Sequence, residues 1–340
     1  MIKFTDLADN APDNLTILDA LGKCHQMVNN HRRIMASVSG GYDSDIMLDL
    51  IIRTGGKEKT TFVFFSTGLE YEATKKQIQR LNKRYGIEIQ EVPPVKPIPK
   101  CVRDHGVPFW SKHVSEMIER LQSHDFQWED EPLEVLLEKY PNCKSALRWW
   151  CNDNGKDGKT SQFDIGYIKW LKEFLITSPP TFRISNKCCY YAKKLPAKKY
   201  AENMECDMNC VGVRKGEGGV RAARYSSCYT AALAGPDQYR PVFWFSDADK
   251  AEYSHYYGVL HSDCYALWGM QRTGCAGCPF GRNYEEELAM AKKWEPKFYR
   301  AMCKIFGPSY EYRRQFEAFR ETMNKTTLPF DYEQLQLEIE

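Results

Sequence analysis

Apolar positions in the first third of the chain alternate between two periods. RIMASV (33–38) and TTFVFFS (60–66) are short apolar runs rich in Val, Ile, Phe and Thr, the pattern of buried strands. Between them, Ile46, Leu48, Leu50 and Ile51 recur at helical spacing over 45–53. Residues 74–85 then predict a helix with a basic, polar face, and IEIQEV (87–92) predicts a third strand. Strand, helix, strand, helix and strand in succession predict a doubly wound, mainly parallel sheet, an α/β fold.

PPVKPIPK (93–100) is a proline-rich connector and the clearest break in the pattern. Beyond it, 111–122 and 132–140 predict helices, and NDNGKDGKTS (152–161) predicts a loop. Strand patterns return at 206–213 and 240–245, so the sheet is expected to continue there. Residues 284–323 are helical with mixed charge. Three segments follow: an α/β core over 1–140, a continuation of the sheet over 141–283, and a helical C-terminal region over 284–340. There is no repeat at a solenoid period and no low-complexity tract.

Composition adds bounds. With 340 residues, 43% hydrophobic and 27% charged, the chain can bury a full core as an ordinary globular protein. Lys+Arg 47 against Asp+Glu 45 gives a net charge of +2, which neither supports nor excludes a nucleic-acid partner, since a local basic groove can hide in a balanced total. The opening MIKFTDLADNAPDNL has acidic residues where an export signal needs basic ones, and no run approaches the roughly 18 apolar residues of a membrane span. A cytoplasmic protein is expected, with no membrane partner. In a reducing compartment, thirteen cysteines are metal ligands, reactive thiols or core residues rather than a disulfide framework.

The segment Ser39-Gly40-Gly41-Tyr42-Asp43-Ser44 falls between a strand pattern and a helix pattern. Two glycines let the backbone turn tightly and approach an anion with no Cβ in the way. Amides at the following helix N-terminus point at phosphate, and the helix dipole adds to the attraction. Ser39 and Ser44 can donate hydroxyl hydrogen bonds, and Asp43 can help hold Mg²⁺ carried by a nucleotide. No G-x-x-x-x-G-K-[ST] loop occurs, which argues against the P-loop NTPase class. The bland alternative is a Gly-Gly turn capped by Ser or Asp.

SGGYDS looks like the loop of the N-type ATP pyrophosphatases, the adenine nucleotide alpha hydrolase-like proteins, and more narrowly the chain resembles the phosphoadenosine phosphosulfate (PAPS) reductase family. Three further segments match in order. FFSTGLEYEAT (64–74) is similar to that family's D-T-G-x-x-F-P-E-T stretch, with Ser66 for its Asp and Glu72 for its Pro. GVPFWSK (106–112) is similar to the loop carrying a nucleotide-proximal lysine, here Lys112. VGVRKGEGGVRA (211–222) resembles G-x-R-x-x-E-S-x-x-R, giving Arg214, Glu217 and Arg221, with Gly218 where Ser is usual. The resemblance implies nucleotide binding at Ser39, Gly40, Gly41, Asp43, Ser44, Thr67, Gly68 and Glu217. It implies catalytic roles for Asp43, Ser44, Lys112, Arg214 and Arg221. Two arginines on a Gly-rich loop could clamp pyrophosphate through bidentate contacts. A solvated basic loop is the plainer reading.

Cys188-Cys189 and Cys275-x-x-Cys278 are the second signal. CxxC alone suits zinc, a redox pair or haem attachment. Adjacent thiolates chelate one tetrahedral Zn²⁺ awkwardly. A CC pair followed by a distant CxxC resembles the [4Fe–4S] arrangement of assimilatory adenylylsulfate reductases, which needs four Cys. Zinc, or buried and redox-active thiols, remain alternatives. Lys187, Lys193 and Lys194 flank one pair, and Arg272 and Arg282 the other, so positive charge is at hand to balance anionic sulfur. Gly274, Gly277 and Pro279 allow a tight wrap. Cys206, Cys210 and Cys264 suit burial, and Trp149, Trp150 and Trp268 suit a core.

Sulfonucleotide reductases also carry a catalytic cysteine in a Glu-Cys-Gly-(Ile/Leu)-His segment. After Cys278 this sequence has only Cys303, in RAMCKIF, with neither Gly nor His beside it. Among relatives sharing the nucleotide loop, DNA phosphorothioation sulfur-transfer proteins and tRNA thiolases adenylate an oxygen with ATP and let sulfur replace it. The resemblance therefore implies an ATP-consuming, [4Fe–4S]-bearing sulfur-transfer enzyme with a cysteine desulfurase as donor and DNA or tRNA as acceptor. The rivals are a sulfonucleotide reductase and a non-catalytic nucleotide-binding regulatory or defence subunit. Lys75, Lys76, Arg80, Lys83 and Arg84 on one predicted helix, with Arg221 and Arg224, are the candidates for a basic groove. A solvated helix face is the alternative there.

Overall fold

A computed structural model describes residues 2–156, 159–217, 225–271 and 273–326. Among these residues, six strands form one sheet: β1 (Ile34–Ser37), β2 (Thr60–Phe65), β3 (Gln90–Val92), β4 (Met208–Val211), β5 (Tyr229–Thr230) and β6 (Asp237–Tyr239). Their order is β3-β2-β1-β4-β6-β5, parallel throughout except for the β5–β6 pair. Ile34 of β1 stands opposite both Thr60 of β2 and Met208 of β4. The chain thus leaves β1 towards one edge and returns to its other side through β4. Doubly wound sheets bind ligands at such a reversal, outside the carboxyl ends of the strands. The mostly parallel α/β arrangement agrees with the sequence pattern.

Two strand expectations need correction. The third strand occupies only Gln90–Val92, because the residues before it are spent on ending a helix. Gly86 takes the left-handed conformation after Glu72–Tyr85, and the amides of Ile87 and Ile89 bond to the carbonyl and side chain of Asn82. Residues 240–245 are not a strand. The ladder runs through Asp237–Tyr239 and stops at Pro241, which has no N–H to continue it. Turns follow, with Phe243 N bonding Arg240 O and Phe245 N bonding Val242 O, and Val242, Phe243 and Phe245 are buried without strand pairing.

Helices match the apolar periods more closely. Tyr42–Arg53 begins three residues before the periodic stretch and buries Ile46, Met47, Leu48, Leu50 and Ile51. Lys112–Gln122 and Leu133–Lys139 form within the predicted segments. Among the described residues, the C-terminal region is two helices, Tyr284–Trp294 and Pro296–Thr326.

The chain divides into two compact units that interleave in sequence. The first comprises residues 1–100, 188–278 and 285–301 and carries the sheet. Its core joins Ile17, Leu21, Ile34, Ala36, Leu50 and Phe62 with Met208, Val242 and Tyr253. The second comprises 101–187, 279–284 and the stretch from Met302. It is helical, with a core rich in aromatic residues, including Phe109, Trp149, Trp150, Phe174, Tyr312 and Phe316. Arg313 of this unit is buried and donates to the carbonyls of Pro279, Gly281 and Arg282. No described helix is long and apolar enough to cross a membrane.

Candidate functional site

Ser39–Ser44 leads from the carboxyl end of β1 into the Tyr42–Arg53 helix. Gly40 has φ +66°, a left-handed conformation that a side chain would strain. The Ser44 hydroxyl organises the turn. It accepts from the amides of Ser39 and Gly41 at 3.2 and 3.1 Å and donates to the Gly41 carbonyl at 2.8 Å. The Ser39 hydroxyl donates to it at 3.1 Å. Gly212, just beyond β4, packs against this turn: a Cβ there would lie 2.9 Å from Ser44 N.

Asp43 carries the charge of the loop. Its Oδ1 lies 3.1 Å from Arg214 Nε and 3.3 Å from Lys250 Nζ. Arg214 and Lys250 each also reach Asp247, both at 3.0 Å. The Lys250 hydrogen bond and the nearby Arg214 charge hold the Asp247 carboxyl below its usual range. Arg214 is buried and anchored on the Phe245 carbonyl at 3.1 Å. Two cations therefore converge on the Ser39–Ser44 turn, balanced by two carboxylates. Lys250 was missed in the sequence. The available signal was Ser246-Asp247-Ala248-Asp249, a capping box that starts a helix and puts Lys250 in its first turn.

A buried polar layer lies behind the loop. Asp45 is fully buried, and burial raises its carboxyl to about 6. Its Oδ2 faces Gln77 Nε2 at 3.0 Å and His261 Nδ1 at 3.1 Å, and His261 Nε2 meets the Ser254 hydroxyl at 2.9 Å. The His261 ring stacks on Tyr42 at 3.5 Å between centroids.

At the carboxyl end of β2, the Thr67 amide and hydroxyl both donate to Glu70, which closes a turn with Gly68 at φ +76°. Thr67 is fully buried and shapes that turn. The CxxC segment docks on it: Ala276 N donates to Leu69 O at 2.8 Å and Gly277 N to the Tyr71 hydroxyl at 3.3 Å.

That docking gathers the four cysteines. The Cys188 thiol is pushed well above its ordinary value, first by its hydrogen bond to Cys189, then by burial and the charges of Cys189, Cys278 and Cys275. Lys193 is pushed up by the charge of Cys275 foremost, and by Cys189, Glu70 and Cys278. The Lys193 side chain is exposed. Among the described residues, no three His, Cys, Asp or Glu side chains gather tightly enough for a single metal ion. Four thiols with Lys193 beside them are the donor set and counter-charge that a four-iron cluster takes. Cys206, Cys210 and Cys264 are buried, and burial raises all three thiols.

The remaining expected residues are dispersed. Glu217 ends a single 3₁₀ turn, Lys215–Glu217. Gly218, Arg221, Arg224 and Arg272 lie outside the described residues. Lys112 belongs to the second unit, where it opens the Lys112–Gln122 helix. On the basic helix, Arg80 pairs with both oxygens of Asp263 at 2.8 Å, Arg84 donates to the carbonyls of Tyr257 and Gly258, and Lys75 lies 3.7 Å from Glu72. Lys76 and Lys83 are exposed on it.

Residues 33–127 match the phosphoadenosine phosphosulfate reductase domain. This similarity covers less than a third of the chain. An uncharacterized protein of Methanocaldococcus jannaschii is 32% identical over 111 residues, 31% of this chain and 20% of that protein. The chain thus spans about a fifth of the length of that curated relative. Among solved structures, PAPS reductase from Candida auris in a phosphate complex is similar with TM-score 0.42 and 12% identity, over 80% of this chain and 93% of that one. NH3-dependent NAD synthetase from Campylobacter jejuni gives 0.37 and 11%, over 92% and 96%. The U34-tRNA thiolase from Methanococcus maripaludis with its [4Fe–4S] cluster gives 0.34 and 11%, over 89% and 80%.

Proposed function

We propose that this protein is an ATP pyrophosphatase-type sulfur-transfer enzyme of the PAPS reductase family. ATP with Mg²⁺ binds at Ser39–Ser44, and an acceptor oxygen attacks the α-phosphate. The bond to the β-phosphate breaks, pyrophosphate leaves, and the acceptor carries AMP on its oxygen. A sulfur nucleophile then displaces AMP together with that oxygen. The observation that carries this reading is the convergence of Arg214 and Lys250 on Asp43 beside the Gly40-Gly41 turn.

Partner exchange is the chemistry that such an arrangement offers. Asp43 holds the two cations in place, and phosphate oxygens can take them over while Mg²⁺ takes Asp43. The cations then face the leaving pyrophosphate, where positioning and electrostatic stabilisation do most of the work. Thr67 and Gly68 wall the site at the end of β2, and Lys112, Glu217 and Arg221 are assigned to it on their motifs. Cys188, Cys189, Cys275 and Cys278 would hold a [4Fe–4S] cluster, which when bound supplies iron sites for keeping or relaying sulfur. Lys193 would offset its negative charge. A cysteine desulfurase would supply the sulfur in the cytoplasm, and the acceptor would be DNA or tRNA.

The test is product analysis of ATP turnover with anaerobically prepared protein and candidate acceptors. AMP with pyrophosphate is expected, lost in Asp43→Asn and Arg214→Met. Sulfite release from adenylylsulfate or PAPS without ATP cleavage would select a reductase instead.

A further inference from the structure

Resting on the nucleotide reading above, we infer that Tyr265 and Thr273 are positioning residues that carry occupancy of the Gly40-Gly41 turn to the thiols of Cys275 and Cys278. Tyr265 stands on a short helix, Asp263–Ala266, capped by the Ser262 side chain. Its hydroxyl accepts from Thr273 N at 3.0 Å and shares a hydrogen with the Thr273 hydroxyl at 2.9 Å. The backbone N–H groups of Tyr42 and Thr273 both act on this oxygen. A Cβ built on Gly41 would meet the Tyr265 hydroxyl at 3.2 Å and the Thr273 hydroxyl at 3.3 Å, so the two oxygens abut the phosphate turn directly.

Thr273 lies two residues before Cys275, and the intervening backbone has little slack. Residues 273–277 are held at three points: Thr273 N on Tyr265, Ala276 N on Leu69 O, and Gly277 N on the Tyr71 hydroxyl. Two of these points belong to the turn after β2, and the third is the one that abuts Gly41. An anion bound to the turn amides fixes Gly41, and through Tyr265 it fixes Thr273 and the start of the CxxC segment. Opening of that segment, which exposes Cys275, then has to break contacts that the nucleotide has stiffened. Such coupling is reciprocal between the two sites.

The experiment follows two readouts on the same preparations of wild type, Tyr265→Phe, Thr273→Val and Thr273→Ser. One is equilibrium binding of ATP. The other is the alkylation rate of Cys275 and Cys278 by iodoacetamide, read by peptide mass spectrometry, which works whether those thiols are free or released from a cluster. ATP should slow alkylation about fivefold or more in wild type and in Thr273→Ser, which keeps the hydroxyl. Tyr265→Phe and Thr273→Val should still bind ATP yet lose most of that protection. Equal protection in all four proteins, or none in wild type with ATP bound, overturns the inference and leaves the nucleotide site intact. Failure of wild type to bind ATP overturns both.

Discussion

Replacing Gly212 with Ala probes the crevice between β1 and β4 with a single methyl group. A Cβ at this position would lie 2.9 Å from Ser44 N, 3.0 Å from Asp43 C and 3.0 Å from Ser44 Cα. All three are backbone atoms, which cannot swing aside as a side chain would. Relaxed contacts need about 3.5 Å, so the phosphate turn has to retreat by roughly half an ångström. Overpacking of this kind costs about 1–3 kcal/mol of stability. The displaced amides also face an anion less well, and a loss of about 1.4 kcal/mol in binding is a tenfold rise in Kd. Calorimetric titration with ATP and thermal unfolding read the two effects separately. Gly307→Ala is the control, since nothing lies within 4 Å of its Cβ and it sits inside the Pro296–Thr326 helix. There the same change should leave ATP binding alone. Wild-type affinity and stability in Gly212→Ala would show that the turn is not braced by β4.

Asp45 gives a pH-dependent prediction. The folded chain keeps its proton to about pH 6, whereas the unfolded carboxyl releases it near pH 4, so this group's contribution to stability falls as pH rises from about 4 to about 6 and is flat above. Asp45→Asn should remove that decline, roughly 3 kcal/mol, from urea melts compared with wild type across the window; an identical pH profile would contradict the assignment. Single Ala replacements of Cys188, Cys189, Cys275 and Cys278 should bleach the visible band of anaerobically prepared protein and lower its iron and sulfide. Cys206→Ala and Cys210→Ala should keep the band, and stoichiometric zinc without sulfide would refute the cluster. If nucleic acid binds along the Glu72–Tyr85 helix, Lys76→Glu with Lys83→Glu should flatten the slope of log K against log salt by about 0.9 per lost duplex phosphate contact. An unchanged slope moves the acceptor elsewhere.

The strands at 34–37 and 60–65 were readable because buried parallel strands are continuous apolar runs, and both are interior strands of the sheet. The strand beyond β4 was not. Asp237-Gln238-Tyr239 pairs with β4 through its backbone and one side-chain bond, Asn209 to Gln238, and has the letters of a loop, while Val242, Phe243 and Phe245 beside it are buried in turns. The tight turn at Ser39–Ser44 was legible because its glycines answer a local backbone need, visible at Gly40. Lys250 and His261 were not, since each reaches the loop from a helix or connection that only the tertiary fold brings back. The cysteines stand in the sequence as two pairs, but Lys193, on which their charges act, could be named there only as a neighbour in sequence. Likewise, nothing in the letters shows that Thr273 touches Gly41.

The most direct measurement of the central claim is phosphorus NMR of ATP incubated with anaerobically prepared protein, Mg²⁺, a sulfur donor and a DNA or tRNA acceptor. Cleavage at the α-phosphate predicts AMP and pyrophosphate in equal amounts, both absent when Asp43 is replaced by Asn. ADP and inorganic phosphate as the main products would contradict it.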